Sequence, residues 1–183
     1  MYSMIINGRV AYRTENPHQM ADWWESNLGL RTPHHIECDG VRLSDRQVQG
    51  LVDDMHARDV RVQFAISCPA DRLPEHADRL LADPYYYVRR EFALRCPEER
   101  LPDFADRLMA DVDWHVRYQF AGRCPPERLP DFAGRLLADP NADVRRAFAR
   151  RCPESRLPDF TETLRTDRDW DVRAEFEARC PTA

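Results

Sequence analysis

The chain has 183 residues, of which 43% are hydrophobic and 32% charged, with a formal net charge of −5 at neutral pH. That balance suits a thin body with much surface per core residue, and the length bounds it to one domain or one repeat array with a small appendage. It excludes a sequence-wide basic field for nucleic acid; no apolar run can span a bilayer, and MYSMIINGRVAYRTE lacks the apolar core of a signal peptide, so a cytoplasmic protein is expected.

All 27 basic residues are arginine, a bias that a GC-rich coding sequence produces. With no lysine, neither Schiff-base chemistry nor a phosphate-loop lysine is available.

Residues 1–44 predict a β-hairpin/helix/β-hairpin cap. Met4-Ile5-Ile6 and Val10-Ala11-Tyr12 flank Asn7-Gly8, the composition of a tight hairpin turn. Asn16-Pro17 reads as a helix start, with Met20, Trp23, Trp24 and Leu28 following and Gly29 as the stop. A second hairpin spans His35–Cys38 and Val41–Leu43 around Asp39-Gly40. Such a cap is expected to cover the open apolar face of the first repeat, and Trp23 and Trp24 make it a candidate dimer surface.

From residue 73 onward the chain repeats itself every 28 residues without insertion, in copies 73–100, 101–128, 129–156 and 157–183. The second copy, LPDFADRLMADVDWHVRYQFAGRCPPER, is typical. A fixed period in this range signals stacked repeats. Residues 45–72 predict a degenerate first copy, in register only from Val60-Arg61 through Phe64, Ala65 and Cys68-Pro69. The expected fold is all-α: a right-handed α-solenoid of about five two-helix repeats behind the α+β cap.

Within a copy, Leu-Pro-Asp/Glu opens helix A, with Pro74, Pro102, Pro130 or Pro158 in the first turn. Helix B starts near Asp113, Asn141 or Asp169, residues suited to capping, and the proline after each cysteine ends it. At 100° per residue, Val88, Phe92 and Cys96 fall within an arc of about 80°, as do their counterparts in later copies, so this stripe is the predicted core.

The recurring Cys68, Cys96, Cys124, Cys152 and Cys180 suggest disulfides or a metal ladder at first sight. Packed helices stand about 8–10 Å apart, whereas a disulfide needs Cα atoms within about 7 Å. There is no CxxC pair for a tetrahedral metal. The cysteines are therefore predicted to be small buried hydrophobes, and no metal or cofactor is expected.

Arg61, Arg89, Arg117, Arg145 and Arg173 each follow a core valine. A guanidinium at the core's border needs a partner, and Asp83, Asp111, Asp139 and Asp167 stand six residues before the last four. An Asp–Arg ladder is expected, within or between repeats; the alternative is a basic stripe for phosphate.

The D-P-x-x-x-V-R core resembles HEAT repeats, and the unit with its V-R pair and closing proline resembles the leucine-rich repeat variant (LRV) family, over roughly residues 45–183. The period is longer than the usual LRV unit and shorter than the usual HEAT unit, which leaves open whether one helix per repeat is partly 3₁₀. One LRV type carries an N-terminal iron–sulfur cluster on clustered cysteines; Cys38 stands alone here, so the resemblance does not imply that cofactor. In the last copy Thr161, Arg165 and Glu177 replace apolar residues, as expected of a capping unit.

No catalytic motif stands out, and no enzymatic activity is expected; His34, His35 and Cys38 with His18 or Asp39 are a weak zinc pattern. The leading expectation is a scaffold that binds a protein partner through a repeat face or through the variable A–B turns. The candidates are Tyr85, Tyr86, Tyr87, Trp114, His115 and Trp170, in residue types favoured at interfaces, with Arg95, Arg123 and Arg151 beside the cysteines. The turn aromatics have a structural alternative, packing over the neighbouring turn. Nucleic-acid binding by arginine ladders in a HEAT-like groove is the second functional expectation. An enzyme housed in the N-terminal cap is the third.

Overall fold

The computed structural model describes residues 1–6, 9–26 and 34–180. Its contacts form two units, Met1–Gln63 and Phe64–Ala183.

The first unit contains β1 (Tyr2–Ile6), β2 (Arg9–Thr14), α1 (Pro17–Ser26), β3 (His34–Cys38), β4 (Val41–Arg42) and most of α2 (Asp45–Ser67). The two predicted hairpins merge into one antiparallel sheet, ordered β2-β1-β3-β4, because β1 also pairs with β3, with Met4 opposite Ile36. Side chains alternate across a strand, which sends Met4 and Ile36 to one face, where Met20 of α1 and Val48 of α2 complete a buried cluster. Asp39 and Gly40 have φ of 50° and 79°, the two positive angles of a type I′ turn. The expected Asn7-Gly8 turn, the helix stop at Leu28-Gly29 and the side chains of His18, Trp23 and His34 lie outside the described residues.

Where a degenerate two-helix unit is predicted over 45–72, α2 runs unbroken from Asp45 to Ser67. No proline occurs between Ser44 and Pro69 to break it. Ser44 and Gln47 form its start: the Ser44 N–H and hydroxyl both donate to the Gln47 side chain, at 2.9 and 2.8 Å, a variant of the capping box that the sequence S-x-x-Q encodes. Val52 and Met55 then bury against Ala21 of α1.

In the second unit a trio of segments recurs four times among the described residues. A 3₁₀ turn leads directly into a short α-helix, and a longer helix follows. The trios are Ala70–His76 with α3 (Ala77–Leu81) and α4 (Tyr86–Arg95); Glu98–Phe104 with α5 (Ala105–Met109) and α6 (Trp114–Arg123); Leu129–Phe132 with α7 (Ala133–Leu136) and α8 (Ala142–Arg151); and Leu157–Phe160 with α9 (Thr161–Arg165) and α10 (Trp170–Arg179). The predicted helix A is therefore half 3₁₀. The proline carbonyl takes an N–H only three residues on, from Ala105, Ala133 or Thr161. At Phe104 the backbone sits at φ −110°, ψ 8°, the bridge region where such turns end. Helix B is capped as predicted, with Asp113, Asn141 and Asp169 side chains accepting N–H groups of the first turn.

The long helices pack on one another, α4 on α6, α6 on α8 and α8 on α10, while each short helix packs on the long helix of its own trio. The Val/Phe/Cys stripe lies inside this layer: Val116, Phe120 and Cys124 and their counterparts in α4 and α8 are fully buried. The phenylalanines of α4, α6 and α8 also meet an aromatic of the next 3₁₀ turn edge-on. Centroids are 5.2 Å apart for Phe92–Phe104, 5.3 Å for Phe120–Phe132 and 5.1 Å for Phe148–Phe160. The last turns of α2 join in the same phase, with Phe64 against His76 at 5.1 Å and Ala65 and Cys68 buried.

Burial pushes the Cys96 and Cys124 thiols up, to about 11 and about 12, against the opposing charges of nearby arginines. Both stay protonated at neutral pH, as buried hydrophobes do. In the folded protein, iodoacetamide should label Cys38 and Cys180, which are partly exposed, before Cys96, Cys124 or Cys152; mass spectrometry of the alkylated protein checks the order. A raised folded-state pKa stabilises fully below the unfolded thiol's value and is lost as pH climbs through the folded one. Denaturation midpoints should thus fall between about pH 9 and pH 11, and Cys96→Ala/Cys124→Ala should flatten that fall. Phe120→Ala should cost about 3–5 kcal/mol in urea unfolding.

Candidate functional site

Three arginine series run along the array, and each has a defined set of acceptors. In the first, Arg89 donates from Nε and Nη2 to the two carboxylate oxygens of Asp111, at 2.6 and 2.8 Å, and from Nη1 to the carbonyls of Asp83 and Pro84. Arg117 does the same with Asp139 and the carbonyls of Asp111 and Val112. Arg145 repeats the pattern with Asp167 and the carbonyls of Asp139 and Pro140. The ladder therefore runs between repeats: each guanidinium joins its own A–B turn to the next one. Each aspartate also accepts a backbone N–H two residues ahead, Asp113 N at 2.8 Å for Asp111 and Asn141 N at 2.8 Å for Asp139.

Buried ion pairs offset their desolvation only when the remaining donors and lone pairs are satisfied, and this network meets that condition. The Asp111 hydrogen bond is the main cause holding the Arg89 guanidinium above its ordinary value, against burial. Burial alone would raise the Asp167 carboxyl, but the hydrogen bonds from Arg145 and the Asp169 N–H, with the charges of Arg145 and Arg168, hold it below its usual range.

The second series, Arg95, Arg123, Arg151 and Arg179, reaches back to the preceding long helix. Arg95 donates to the Ala65 carbonyl, Arg123 to those of Ala93, Leu94 and Cys96, Arg151 to Cys124, and Arg179 to Ala149 and Cys152. The last carbonyls of a helix lack intrahelical donors and carry its negative end. Arg95, Arg123 and Arg151, candidates for partner contact, are half-buried and serve as C-terminal caps of their neighbours. The third series pairs locally, Arg100 with Asp103, Arg128 with Asp131 and Arg156 with Asp159, at 2.7–2.9 Å.

The A–B turns gather the aromatic candidates into a rim. Tyr85, Tyr86 and Tyr87 cluster at centroid distances of 5.5–6.2 Å, and Tyr86 reaches His115 of the next turn at 5.5 Å. His115 stacks on Trp114 at 3.8 Å and is held to its own helix cap, Asp113, at 2.9 Å. Packing over the neighbouring turn thus describes Tyr86 and His115. Trp170, by contrast, is 69% exposed. The rim has two further members that the sequence pattern does not single out as aromatic turn residues. Tyr118 meets Trp114 at 6.4 Å. Val112 is 91% exposed at a position held by proline or arginine in the other copies, and that departure from the repeat is the signal by which it could be found.

Among the described residues no group of three or more His, Cys, Asp or Glu is arranged to hold a metal ion. His35 pairs with Glu37 at 2.9 Å, and the Cys38 thiol donates to Asp39 at 3.8 Å. No described helix is long and apolar enough to cross a membrane.

No protein-family model matches the chain. No curated protein matches it. Among solved structures, a leucine-rich repeat variant with a novel repetitive protein structural motif is similar, at 28% identity and a TM-score of 0.46, over 75% of this chain. The present chain spans 57% of that protein's length. By its own recurring trios the array is a helical repeat.

Breaking one rung of the buried ladder should be far more damaging than breaking an exposed pair. Arg117→Ala strands Asp139 and should cost about 3–5 kcal/mol by chemical denaturation, whereas Arg128→Ala, on the surface, should leave the midpoint nearly unchanged. The depressed Asp167 pKa contributes stability above about pH 4 that is lost as pH falls through the folded value. Asp167→Asn should lower stability at pH 7 and weaken its dependence on pH below about 4.

Proposed function

We propose that the chain is a non-enzymatic scaffold that holds a protein partner against the rim of A–B turns, on a right-handed array of about five units whose first is represented by the end of α2. The observation that carries it is the exposure of Trp170 and Val112 on the same rim as the Tyr85–Tyr87/Trp114/His115 cluster. Aromatic side chains on rigid helix starts favour protein association because they bury large areas at small entropic cost. The fixing of these turns by Asp and Arg supports a preformed surface. The same ladders weigh against the nucleic-acid alternative, since the guanidinium groups of the first two series are engaged by carboxylates and carbonyls rather than turned toward a phosphate backbone.

Cross-linking capture from cells expressing the chain should recover a partner with the wild type and lose it with Tyr86→Ala/Trp114→Ala and with Trp170→Ala, at unchanged melting temperature. Equal recovery with the rim variants would sink the proposal. Gel-shift titrations with duplex DNA and single-stranded RNA at about 50 mM salt should show no retardation; retardation that vanishes steeply at about 200 mM would favour the alternative.

A further inference from the structure

The Val/Phe stripe is covered in four long helices and uncovered in the fifth. Val88, Val116, Val144 and Val172 are fully buried, and so are Phe92, Phe120, Phe148 and Phe176. Each of these four helices packs on the short helix of its own trio, whose Leu80, Leu108, Leu136 or Leu164 is buried in return. In α2 the residues that stand in the place of a short helix are turns of α2 itself. Val60, one period before Val88, is 67% exposed. Phe64, one turn further on the same face of the helix, is half-buried.

The short helices are also tied to one another. Arg107 of α5 bridges to Asp78 of α3 at 2.7 Å, and Arg135 of α7 bridges to Asp106 of α5 at 2.7 Å. At the next seam Gly134 and Thr163 stand in the two places, so acid and base are absent together. At the first seam only the acid is absent: Gly50 stands 29 residues before Arg79, where Arg107 and Arg135 have an aspartate. Among the described residues no carboxylate meets Arg79, whose guanidinium lies 4.9 Å over the Phe64 ring. Its neighbours Asp78 and Glu75 are engaged by Arg107 and Arg72.

Both features trace to one element. A short helix in the register of α3 and α5 supplies a leucine beside the valine of its long helix and an acid to the arginine of the next short helix. α2 supplies neither.

We infer that the face of α2 carrying Val60 and Phe64, with Arg79 over Phe64, receives a short amphipathic helix from a partner protein. Its apolar side chains are spaced as Leu101, Ala105 and Leu108 are, and it brings an acid to Arg79. Burial of Val60 and of the incoming leucine drives the contact. The ion pair sets register more than strength, because its counterparts in the array are exposed. The occupant is read from the chain's own copies, which place this chemistry against this stripe four times. The inference does not depend on the aromatic rim, which occupies the A–B turns.

The test uses the full chain, ¹⁵N-labelled, titrated with the acetylated and amidated peptide LPDFADRLMA, the sequence of Leu101–Ala110. The peptide should shift the amides of Val60, Phe64 and Arg79. Carrying Leu108→Glu it should bind at least about ten-fold more weakly, and carrying Asp106→Asn about two- to five-fold more weakly. Val60→Glu, at an exposed position, should abolish the shifts at unchanged melting temperature. Arg79→Glu should weaken binding of the parent peptide and favour the one carrying Asp106→Arg, a reversal that non-specific adhesion does not produce. Trp114→Ala and Trp170→Ala should leave the titration unchanged, which separates failure here from failure of the rim. Shifts confined to other surfaces, no shifts at millimolar peptide, full binding by Val60→Glu, or an unchanged peptide preference in Arg79→Glu would each overturn the inference.

Discussion

The array depends on a guanidinium that reads two turns at once. Arg89, Arg117 and Arg145 each hold two carbonyls of their own A–B turn with one nitrogen and grip the aspartate of the next turn with the other two. This sets the step from one repeat to the next, because the carboxylate must arrive in the plane of the fork. A lysine cannot substitute: its ammonium is a point charge without a planar pair of donors. Whatever coding bias produced a lysine-free chain, arginine at these three positions is a structural requirement.

The remaining ties divide the length of each long helix among them. At its start stands the Asp–Arg ladder. In its middle, phenylalanine meets the aromatic of the next 3₁₀ turn, and the cysteine closes the stripe. At its end, the arginine of the following repeat takes the last free carbonyls. A 28-residue unit buries too little apolar surface to stand alone, so stability has to come from interfaces between neighbours. The units are therefore fixed to one another at three points along the long helix. This also accounts for so many arginines in an acidic protein: those of the first series are matched by aspartates and those of the second are held by carbonyls of the preceding long helix.

Much of this is legible in the sequence, and the illegible parts share a cause. The period, the Val/Phe/Cys stripe and the caps at Asp113, Asn141 and Asp169 are local patterns, and the structure has them as predicted. The direction of the ladder is not readable. An aspartate six residues before an arginine and one 22 residues after it occupy the same phase of a 28-residue period, so spacing cannot say which is bound. The second arginine series is hidden in the same way, since its acceptors are backbone carbonyls, which have no sequence signature. The 3₁₀ half of helix A follows from where the proline carbonyl finds its donor, and helical periodicity does not distinguish that from an α-turn. The start of the unbroken α2 is written in Ser44 and Gln47, but the repeat register, which is the stronger pattern in this chain, implies two helices over 45–72 where α2 is one.

Repetition carries a further implication for where binding resides. Positions that obey the period are engaged with neighbours, and substituting one partner alone leaves a charge or a carbonyl stranded. Positions free to depart from it are those with no such obligation, or those that lose both partners at once. The A–B turns belong to the first kind: behind the fixed aspartate they read Tyr-Tyr-Tyr, Asp-Trp-His, Asn-Ala-Asp and Asp-Trp-Asp, and the ladder beneath tolerates all four. Gly134 and Thr163 belong to the second. Arg79, the first arginine of the Arg107/Arg135 series, shows the half-step: Gly50 stands 29 residues earlier where an aspartate would pair with it, and the guanidinium lies over the Phe64 ring instead. An array held by its periodic residues can thus change its surface without changing its step, and the aperiodic positions are where a partner is to be sought.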